Sequence, residues 1–413
     1  MNTKVVILQH RLLHYRVDFF QGLRAALARD DIDLVLVHGQ ASASESVRQD
    51  EGHLPWAVRV RNRFLRVAGR DLIWQPLPET ARDADLCVMI QENRVLSNYP
   101  LILRRRLAGA RGAPLAFWGH GRNFQSRAPR GWRERWKALM LRQVDWWFAY
   151  TAMTVEHLRA SGFAADRISN LNNAIDVSAF QRQIETVSRA DLARWRAQLG
   201  LGESSRIAVF CGSMYPDKRI DLLLASADLI RARLPDFHLL MIGEGPDAVR
   251  VREAAASRPW LHVLGVRTGT DKAALFRLAR VQLNPGLVGL HVLDAFSAGL
   301  PMITTARARH SPEIAYLQGG RTGLVLEDDH PRRYAEAVSS LLSDEARLRA
   351  MRAACLDAAC LYTLDGMVQH FRRGVLECLA RHGRLPAAAR RPDPCVADTE
   401  PAVLADQNRL SRR

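Results

Sequence analysis

The sequence lacks long hydrophobic runs and paired cysteines. Its first ten residues, MNTKVVILQH, contain a four-residue apolar run, which is too short for the core of a signal peptide. No later run approaches the roughly 20 residues of a membrane span. The six cysteines are scattered without a CxxC pair, which argues against a disulfide framework or a structural zinc site. These absences predict a protein of the reducing cytoplasm.

Acidic residues are scarce relative to basic ones. The 413 residues include 59 Lys and Arg against 43 Asp and Glu, a formal net charge of +16. Such a charge favours anionic partners, and nucleic acid, anionic lipid and phosphorylated ligands all fit it. Because 48% of the residues are hydrophobic, the chain has enough apolar material for two globular domains, the number that its length favours.

The positive charge is concentrated between residues 104 and 142, where eleven Lys and Arg stand against one acid, Glu134. Within this region, residues 131–147 place Trp132 and Trp136 on one face of a predicted helix and cations around the rest. Such a helix suits an anionic membrane surface, with Trp at the headgroup level and cations on phosphates. The same apolar face suits packing against a sheet, so both interpretations stay open.

Strand-like and helical patterns alternate along the chain, as is typical of parallel α/β sheets. A polar, helix-prone stretch at 177–202 separates two such alternations. We therefore predict an α/β protein with two doubly wound, Rossmann-like domains facing across a cleft, where ligands bind beyond the carboxyl ends of the strands. The predicted units are a first domain at 1–176, a second domain at 177–360, a C-terminal helix at 361–383 that is a candidate for crossing back to the first domain, and a flexible tail at 384–413.

Two helix starts in the second half indicate an anionic ligand. Lys218 and Arg219 begin a helix after a strand and a Pro-containing turn. Cations there oppose the helix dipole unless an anion binds between them and the free backbone N–H groups, as a diphosphate would. A solvated Lys-Arg pair is the alternative.

The second helix start follows Gly286 and Gly289, and glycines at such a place let backbone N–H groups approach a phosphate closely. Asp294 falls one turn inside this otherwise apolar helix, where an unpaired carboxylate is costly. We expect Asp294 to accept hydrogen bonds from sugar hydroxyls or from local backbone.

Other motifs point less clearly to chemistry. Residues 243–248 match a GxGxxA dinucleotide fingerprint by spacing. However, they follow the second strand of their domain, and the ribose-binding acid expected about 20 residues later is missing. The Asp-x-Asp patterns at 31–33 and 83–85 precede strands, so we interpret them as turns and caps rather than metal sites.

His120 ends a predicted strand of the first half between two glycines, where an α/β sheet exposes side chains to its cleft. With Arg122 beside it, we expect His120 to hydrogen-bond a ligand, and a structural histidine is the alternative. Residues 10–16 follow the first strand, and they either face the same cleft or form a polar loop.

Several segments of the second half share the pattern of one known family. Residues 212–224 look like its strand-turn-helix with a phosphate-binding Lys, and 286–301 resemble its helix beneath a nucleotide sugar. Residues 173–176, Asn-Ala-Ile-Asp, resemble its interdomain Asn-Gly-Ile-Asp signature. The chain thus resembles bacterial retaining glycosyltransferases of family four, over about residues 170–345.

The resemblance implies the GT-B fold and a hexosyltransferase that moves a sugar, with retention, from a nucleotide diphosphate sugar bound by the second domain. The implied acceptor is a glycan or a lipid-linked glycan bound by the first domain, in cell-surface polysaccharide or lipopolysaccharide synthesis. No metal and no further cofactor are implied, and residues 131–147 suggest the inner membrane face. The implied catalytic residues are His120, Lys218 and Arg219. The implied donor-binding residues are Gly212, Ser213, Gly243, Leu264, Gly286, Val288, Gly289, Leu290 and Asp294. The implied acceptor-binding residues are Arg16 and Arg122.

Three positions depart from the family pattern. Its Glu-x7-Glu pair falls on Gly286 and Asp294, so the first acid is lost and the second is shortened. Its Arg five residues before the phosphate-binding Lys is Ser213, and the Gly of the interdomain signature is Ala174. We therefore expect low turnover or an unusual donor.

Two other functions fit the same residues. A nucleotide-sugar epimerase of the same fold would convert the donor with no acceptor, and a non-catalytic binding or scaffold protein would bind nucleotide without turnover. Nucleic acid is not the predicted partner, because the basic residues cluster with Trp in one half whereas the ligand features lie in the other.

Overall fold

The described part of the chain folds into two helix-covered parallel sheets and one separate antiparallel hairpin. The structure is a computed structural model that describes residues 2–46, 50–67, 69–121, 136, 139–387 and 389. The prediction of an α/β protein with two Rossmann-like sheets is confirmed.

The strands of the first domain come in this chain order: β1 (Thr3–Gln9), β2 (Ile32–His38), β3 (Val58–Arg59), β4 (Arg63–Val67), β5 (Arg70–Trp74), β6 (Leu86–Ile90), β7 (Leu115–Gly119), β8 (Trp146–Ala149) and β9 (Ile168–Asn170). The parallel sheet has the order β3-β2-β1-β6-β7-β8-β9, and β4 and β5 form the hairpin. Val5, Val6 and Ile7 of the central strand are fully buried, because helices cover a parallel sheet on both faces.

The helices of the first domain pack on the faces of this sheet. Phe19, Phe20 and Leu23 share one face of the first helix and are buried, as its amphipathic pattern predicts. The described helices of this domain are α1 (Val17–Ala28), α2 (Ala43–Ser46), α3 (Asn98–Ala108) and α4 (Ala152–Ala160).

The strands of the second domain are β10 (Arg206–Cys211), β11 (Phe237–Ile242), β12 (Leu261–Gly265), β13 (Val281–Leu283), β14 (Met302–Thr305) and β15 (Gly323–Leu326). They form a parallel sheet of order β12-β11-β10-β13-β14-β15. In both sheets the strand order reverses beside the first strand, between β1 and β6 and between β10 and β13. Open α/β sheets bind ligands at such a point.

The predicted separating stretch at 177–202 consists of two helices that pack on the second domain. The Asp176 side chain accepts hydrogen bonds from two N–H groups of the first helix, and Ser188 and Asp191 form a capping box at the second. The helices of this domain are α5 (Val177–Thr186), α6 (Arg189–Gln198), α7 (Ile220–Arg233), α8 (Ala248–Ala255), α9 (Gly269–Leu278), α10 (His291–Ser297) and α11 (Pro331–Ser343).

Two C-terminal helices follow, α12 (Glu345–Leu361) and α13 (Leu364–Arg381), and the second one lies against the first domain. The Phe371 ring of α13 stacks on Phe148 of β8, with ring centroids 4.1 Å apart. Arg372 donates to Asp30 at the end of α1, with 2.6 Å between Nε and Oδ2. Helices α12 and α13 therefore tie the two domains together.

Three sequence predictions need comment. The tail was predicted from residue 384, but Arg384 pairs with Asp85, with 2.9 Å between Nη1 and Oδ1, so the packed chain extends further than its composition indicates. Residues 388 and 390–413 lie outside the described residues, and so do Arg122 and residues 131–135, 137 and 138 of the basic helix. The β4–β5 hairpin was not predicted.

Candidate active site

The candidate site lies at the carboxyl ends of β10 and β13, where the strand order of the second sheet reverses. Residues 212–219 follow β10 and residues 284–290 follow β13. The two segments are joined directly, because the Leu287 N–H donates to the Asp217 carbonyl at 2.8 Å. The sheet topology thus brings together two helix starts that are about seventy residues apart in sequence.

Close backbone packing explains the GxGxxA segment. Gly243 and Gly245 have φ angles of 131° and 149°, which side chains disfavour. A Cβ atom on Gly243 would lie 2.0 Å from the carbonyl oxygen of Gly212, and one on Gly245 would lie 2.3 Å from that of Met214. These glycines therefore allow the turn after β11 to contact the turn after β10.

Lys218 is the most buried cation of the site, with 4% of its surface exposed. Its Nζ donates to the Leu287 carbonyl at 2.6 Å. Burial lowers the pKa of Lys218 to about 7. No carboxylate lies within ion-pair distance of Lys218 in the part of the chain that the structure describes. The ammonium is thus held in place by a hydrogen bond, but no carboxylate balances its charge.

Arg219 has a left-handed backbone conformation, with φ 55° and ψ 50°, at the N-terminus of α7. Its guanidinium lies 2.8 Å from Asp329 Oδ1 and 3.3 Å from Thr305 Oγ1. This cation is therefore paired, unlike Lys218. It remains a predicted phosphate ligand.

Gly286 lies against the backbone that carries Lys218. A Cβ atom on Gly286 would lie 2.3 Å from the Asp217 carbonyl oxygen and 2.5 Å from the Lys218 Cα. The missing side chain therefore makes room for the backbone that carries Lys218. The close approach also explains why an acid cannot stand at this position in the present arrangement.

Hydrogen bonds to the 310–311 segment hold the residues that follow Gly286. The Val288 N–H donates to His310 Nδ1 at 3.0 Å, and the Ser311 N–H donates to the Val288 carbonyl at 2.9 Å. The Val288 N–H is thus already used inside the protein. Gly289 and Leu290 immediately precede α10, where backbone N–H groups point out of the helix end.

Asp294 of α10 accepts a hydrogen bond from Lys272 of α9, with 2.8 Å between Oδ2 and Nζ. The expected alternatives were sugar hydroxyls or local backbone, so the sequence did not indicate this ion pair. Burial lowers the pKa of Lys272, but the charges of Asp294 and of Cys211 outweigh burial and raise it overall. Lys272 Nζ also lies 4.4 Å from the ring centroid of Phe180.

Three basic residues of the site were missed from sequence: Lys272, His291 and His310. The His291 Nε2 atom is buried and has no hydrogen-bond partner among the described residues. Burial and then the nearby Lys218 charge lower the pKa of His291 well below its usual value. No sequence signal distinguished Lys272 from the other polar residues of its predicted helix. His291 could have been found, because it directly follows the predicted donor-binding residue Leu290.

The remaining donor-site predictions occupy the same edge of the sheet. Gly212 and Ser213 directly follow β10, and Leu264 lies near the end of β12. Gly212 has a φ of 149°, and a Cβ atom there would meet Lys218 Cε at 3.9 Å. The roles assigned to these residues stay predictions.

In the first domain, His120 follows β7 and its ring lies against Tyr150, with ring centroids 4.3 Å apart. The predicted acceptor residue Arg16 is buried rather than open to a ligand. It donates to Asn173 Oδ1 and lies 5.5 Å from the ring centroid of Trp118. Arg16 is thus part of the junction between the domains, which its position after the first strand did not indicate.

Residues 10–16 also contribute to a buried charge network at the end of β1. His10 Nε2 lies 3.2 Å from Glu45 Oε1, and Arg94 Nη2 donates to the same oxygen at 2.7 Å. Burial raises the pKa of Glu45, but the hydrogen bonds from His10 and Arg94 outweigh it and hold the pKa far below its usual value. Glu45 and Arg94 were not predicted, because Glu45 lies in the short helix α2 whereas Arg94 lies in the loop after β6, far from it in sequence.

Residues 205–344 match the model of the family Glycosyl transferases group 1. The matched residues all lie within the second domain. The match contains Lys218, Gly286 and Asp294, so the resemblance seen in the sequence is confirmed for this domain.

A Rhodococcus jostii protein named D-inositol 3-phosphate glycosyltransferase is 28% identical over 237 residues, which are 53% of this chain and 52% of that protein. The chain therefore spans about half the length of the curated relatives it matches. Anabaena HepE in complex with UDP has a TM-score of 0.62 at 14% identity, covering 91% of this chain and 99% of HepE.

A Listeria monocytogenes protein assigned as a UDP-N-acetylglucosamine 2-epimerase has a TM-score of 0.60 at 13% identity, covering 93% of this chain and 99% of that protein. These likenesses show a GT-B fold for the whole described chain. Within the described residues, no group of three or more His, Cys, Asp or Glu is placed to hold a metal ion. No described helix combines the length and the apolar character needed to cross a bilayer.

Proposed function

We propose that the protein is a retaining glycosyltransferase that moves a sugar from a nucleotide diphosphate sugar to a glycan or lipid-linked acceptor. The family match within the second domain and the Rhodococcus relative support glycosyl transfer. The HepE complex with UDP supports a nucleotide donor. Retention rests on the family resemblance alone.

The observation that carries this proposal is the buried ammonium of Lys218. A buried cation without a carboxylate partner is costly, and an anion that binds there removes the cost. The N-terminus of α10 and Arg219 lie on the same edge of the sheet and favour negative charge. A diphosphate would bring negative charge to the Lys218 ammonium and to the helix N-terminus, with Arg219 nearby, whereas a neutral ligand would leave the Lys218 charge without a counter-charge.

The same groups suit the chemistry of transfer. The bond between the anomeric carbon and the diphosphate oxygen breaks, and the acceptor oxygen forms the new bond to that carbon while its proton passes to the leaving diphosphate. The leaving diphosphate gains negative charge, which Lys218 and Arg219 stabilise. We assign His120 of the first domain to a hydrogen bond with the donor sugar. We assign Asp294 to the ribose hydroxyls, which it would bind while it also accepts the hydrogen bond from Lys272.

We further propose an acceptor for cell-surface polysaccharide or lipopolysaccharide synthesis, presented at the cytoplasmic face of the inner membrane. Exposed apolar side chains on the first domain support a membrane-bound acceptor: Leu103 and Leu107 of α3 are 58% and 80% exposed, and Trp136 is 42% exposed. The intervening Arg104 and Arg106 are exposed as well. Apolar side chains among arginines suit the surface of an anionic bilayer.

The first experiment is a thermal-stability panel with UDP-, GDP-, ADP- and dTDP-sugars. A ligand at 100 times its Kd stabilises the fold by about 2.7 kcal/mol, so one base class should raise the Tm. Lys218→Met should abolish this rise without unfolding the protein. Arg250→Met, at an exposed cation of α8, is the matched control and should retain it. If no nucleotide sugar raised the Tm, the proposed donor site would be contradicted.

Turnover then separates glycosyl transfer from its two rivals. Conversion of the bound nucleotide sugar into an isomer with no acceptor present would identify an epimerase, an activity assigned to one protein of this fold. Binding without any turnover would favour a scaffold. Transfer to a glycan or lipid-linked acceptor, with NMR of the new linkage, supports the proposal and tests retention.

A further inference from the structure

The β4–β5 hairpin presents an uncovered apolar face. Directly opposite residues of antiparallel strands point to the same side of a sheet. Leu65, Val67 and Trp74 on one side are 60%, 48% and 43% exposed, whereas Ile73 on the other side is fully buried. The hairpin thus packs with one face and leaves the other open. The pairs on the open face are Arg63 with Trp74, Leu65 with Leu72, and Val67 with Arg70.

The same stretch is strongly basic. Asp71 is its single acid between residues 56 and 74, and this carboxylate accepts a hydrogen bond from Ser44 Oγ at 2.9 Å. No ion pair engages the arginines of the stretch within the described ranges. The open face is therefore an apolar centre with an unpaired cation at each end. The exposed arginines are Arg59, Arg61, Arg63, Arg66 and Arg70.

The base of the hairpin is anchored at the cleft edge of the first sheet. Asn62 Nδ2 donates to the His10 carbonyl at 2.6 Å, and Gln75 Nε2 donates to the Gln9 carbonyl at 2.7 Å. Both carbonyls lie at the carboxyl end of β1, where the strand order reverses. A surface bound by the hairpin would therefore lie beside the opening of the first domain.

We propose that this hairpin docks the first domain onto an anionic lipid bilayer. Leu65, Val67 and Trp74 enter the boundary between headgroups and acyl chains, and the flanking arginines bind lipid phosphates. A second copy of the chain fits less well, because it would bring like charges together. The proposal rests on the hairpin alone and is independent of sugar transfer by the second domain.

Sedimentation of the full chain with vesicles tests this docking. The protein should bind vesicles that contain phosphatidylglycerol, should not bind pure phosphatidylcholine, and should bind less as salt is added. Arg63→Ser/Arg70→Ser should weaken binding about 30-fold, since each basic residue contributes roughly a fivefold factor near such a surface. Leu65→Ser/Val67→Ser/Trp74→Ser should weaken it at least roughly tenfold.

Matched controls lie on the second domain. Arg332→Ser/Arg347→Ser removes two exposed arginines, and Val249→Ser/Val266→Ser removes two apolar side chains that are 55% and 63% exposed. Both should leave vesicle binding and Tm unchanged. Equal vesicle binding by the hairpin variants and the control variants would overturn the proposal. It would also be overturned if the protein bound an acidic protein through this hairpin but did not bind vesicles. Nucleotide-induced Tm shifts should persist in the hairpin variants. This measurement distinguishes failure of the membrane-docking proposal from failure of the proposed donor site.

Discussion

Asn173 Nδ2 donates a hydrogen bond of 2.6 Å to Glu313 Oε1, across 140 residues of sequence and across the junction between the domains. The Oδ1 atom of the same amide accepts a hydrogen bond from Arg16. The amide dipole thus lies between a buried carboxylate and a buried guanidinium, with each end facing the charge it prefers. Ser311 lies two residues before Glu313 and donates to the Val288 carbonyl, so this bridge links residues 284–290 of the candidate site to the first domain.

Glu313→Gln tests the charge in this bridge. Burial raises the pKa of Glu313 above its usual 4.5, and the Asn173 hydrogen bond and Arg16 offset this only in part. A raised pKa means that the stability contributed by the protonated form is complete below pH 4.5 and is lost as pH rises through the folded-state pKa. The unfolding free energy of the wild type relative to Glu313→Gln should therefore fall as the pH rises from 4.5 through the folded-state pKa.

Guanidinium denaturation at several pH values in this range measures that difference. Glu313→Ala is the contrasting variant, because it leaves the Asn173 amide without its acceptor and should be about 1–3 kcal/mol less stable than Glu313→Gln at every pH. A pH-independent difference between the wild type and Glu313→Gln would contradict the prediction.

Lys218 predicts a pH dependence of nucleotide binding. Its pKa of about 7 in the free protein must rise when a diphosphate binds beside it. Below the free pKa the site is already protonated, so affinity should be flat. Above it, each bound diphosphate requires uptake of a proton, so affinity should fall by up to about tenfold per pH unit.

Calorimetry of nucleoside diphosphate binding in buffers of different ionisation enthalpy counts the protons taken up. Uptake should approach one proton at about one pH unit above the free pKa of about 7 and should disappear below it. Lys218→Met should remove the uptake. The same uptake in the variant would assign the proton to another group of the site, such as His291.

Gly286→Ala should be far more damaging than Gly289→Ala, although both lie in one loop. A methyl group on Gly286 would lie 2.3 Å from the Asp217 carbonyl oxygen, whereas on Gly289 its nearest contacts are at 3.8 Å. We expect a loss of about 3 kcal/mol for the first and less than about 1 kcal/mol for the second. Thermal unfolding measures both. Gly286→Glu restores the acid of the family pattern, but we expect it to lose nucleotide binding, because its side chain would displace the backbone that carries Lys218.

The Lys272–Asp294 pair should be coupled. Their side chains are 19% and 15% exposed, so removing one partner leaves a largely buried charge. Lys272→Met and Asp294→Asn should each cost about 2–4 kcal/mol, and the double variant should cost less than their sum. Denaturation of the four proteins gives the coupling energy. Additive costs would show that the pair contributes nothing to stability.

Much of the framework followed from the sequence alone. The alternation of short apolar runs with amphipathic helices predicted two Rossmann-like sheets, because the periods of strand and helix burial are local properties. Cations and glycines at two helix starts located the two loops of the candidate site for the same reason. Lys218 was found by this route, since a cation at the N-terminus of a helix stands out in sequence.

Partners that are distant in sequence were decided by the tertiary structure. Nothing local to Asp294 indicates Lys272, and nothing local to Arg16 indicates Asn173 and Glu313. The role of Gly286 also appears only when β10 and β13 lie side by side and their loops touch. Sequence thus determined which segments form strands, helices and loop ends. The tertiary structure decided which charged side chains pair with one another, because a side chain contacts a buried partner that is distant in sequence only after the sheets have formed.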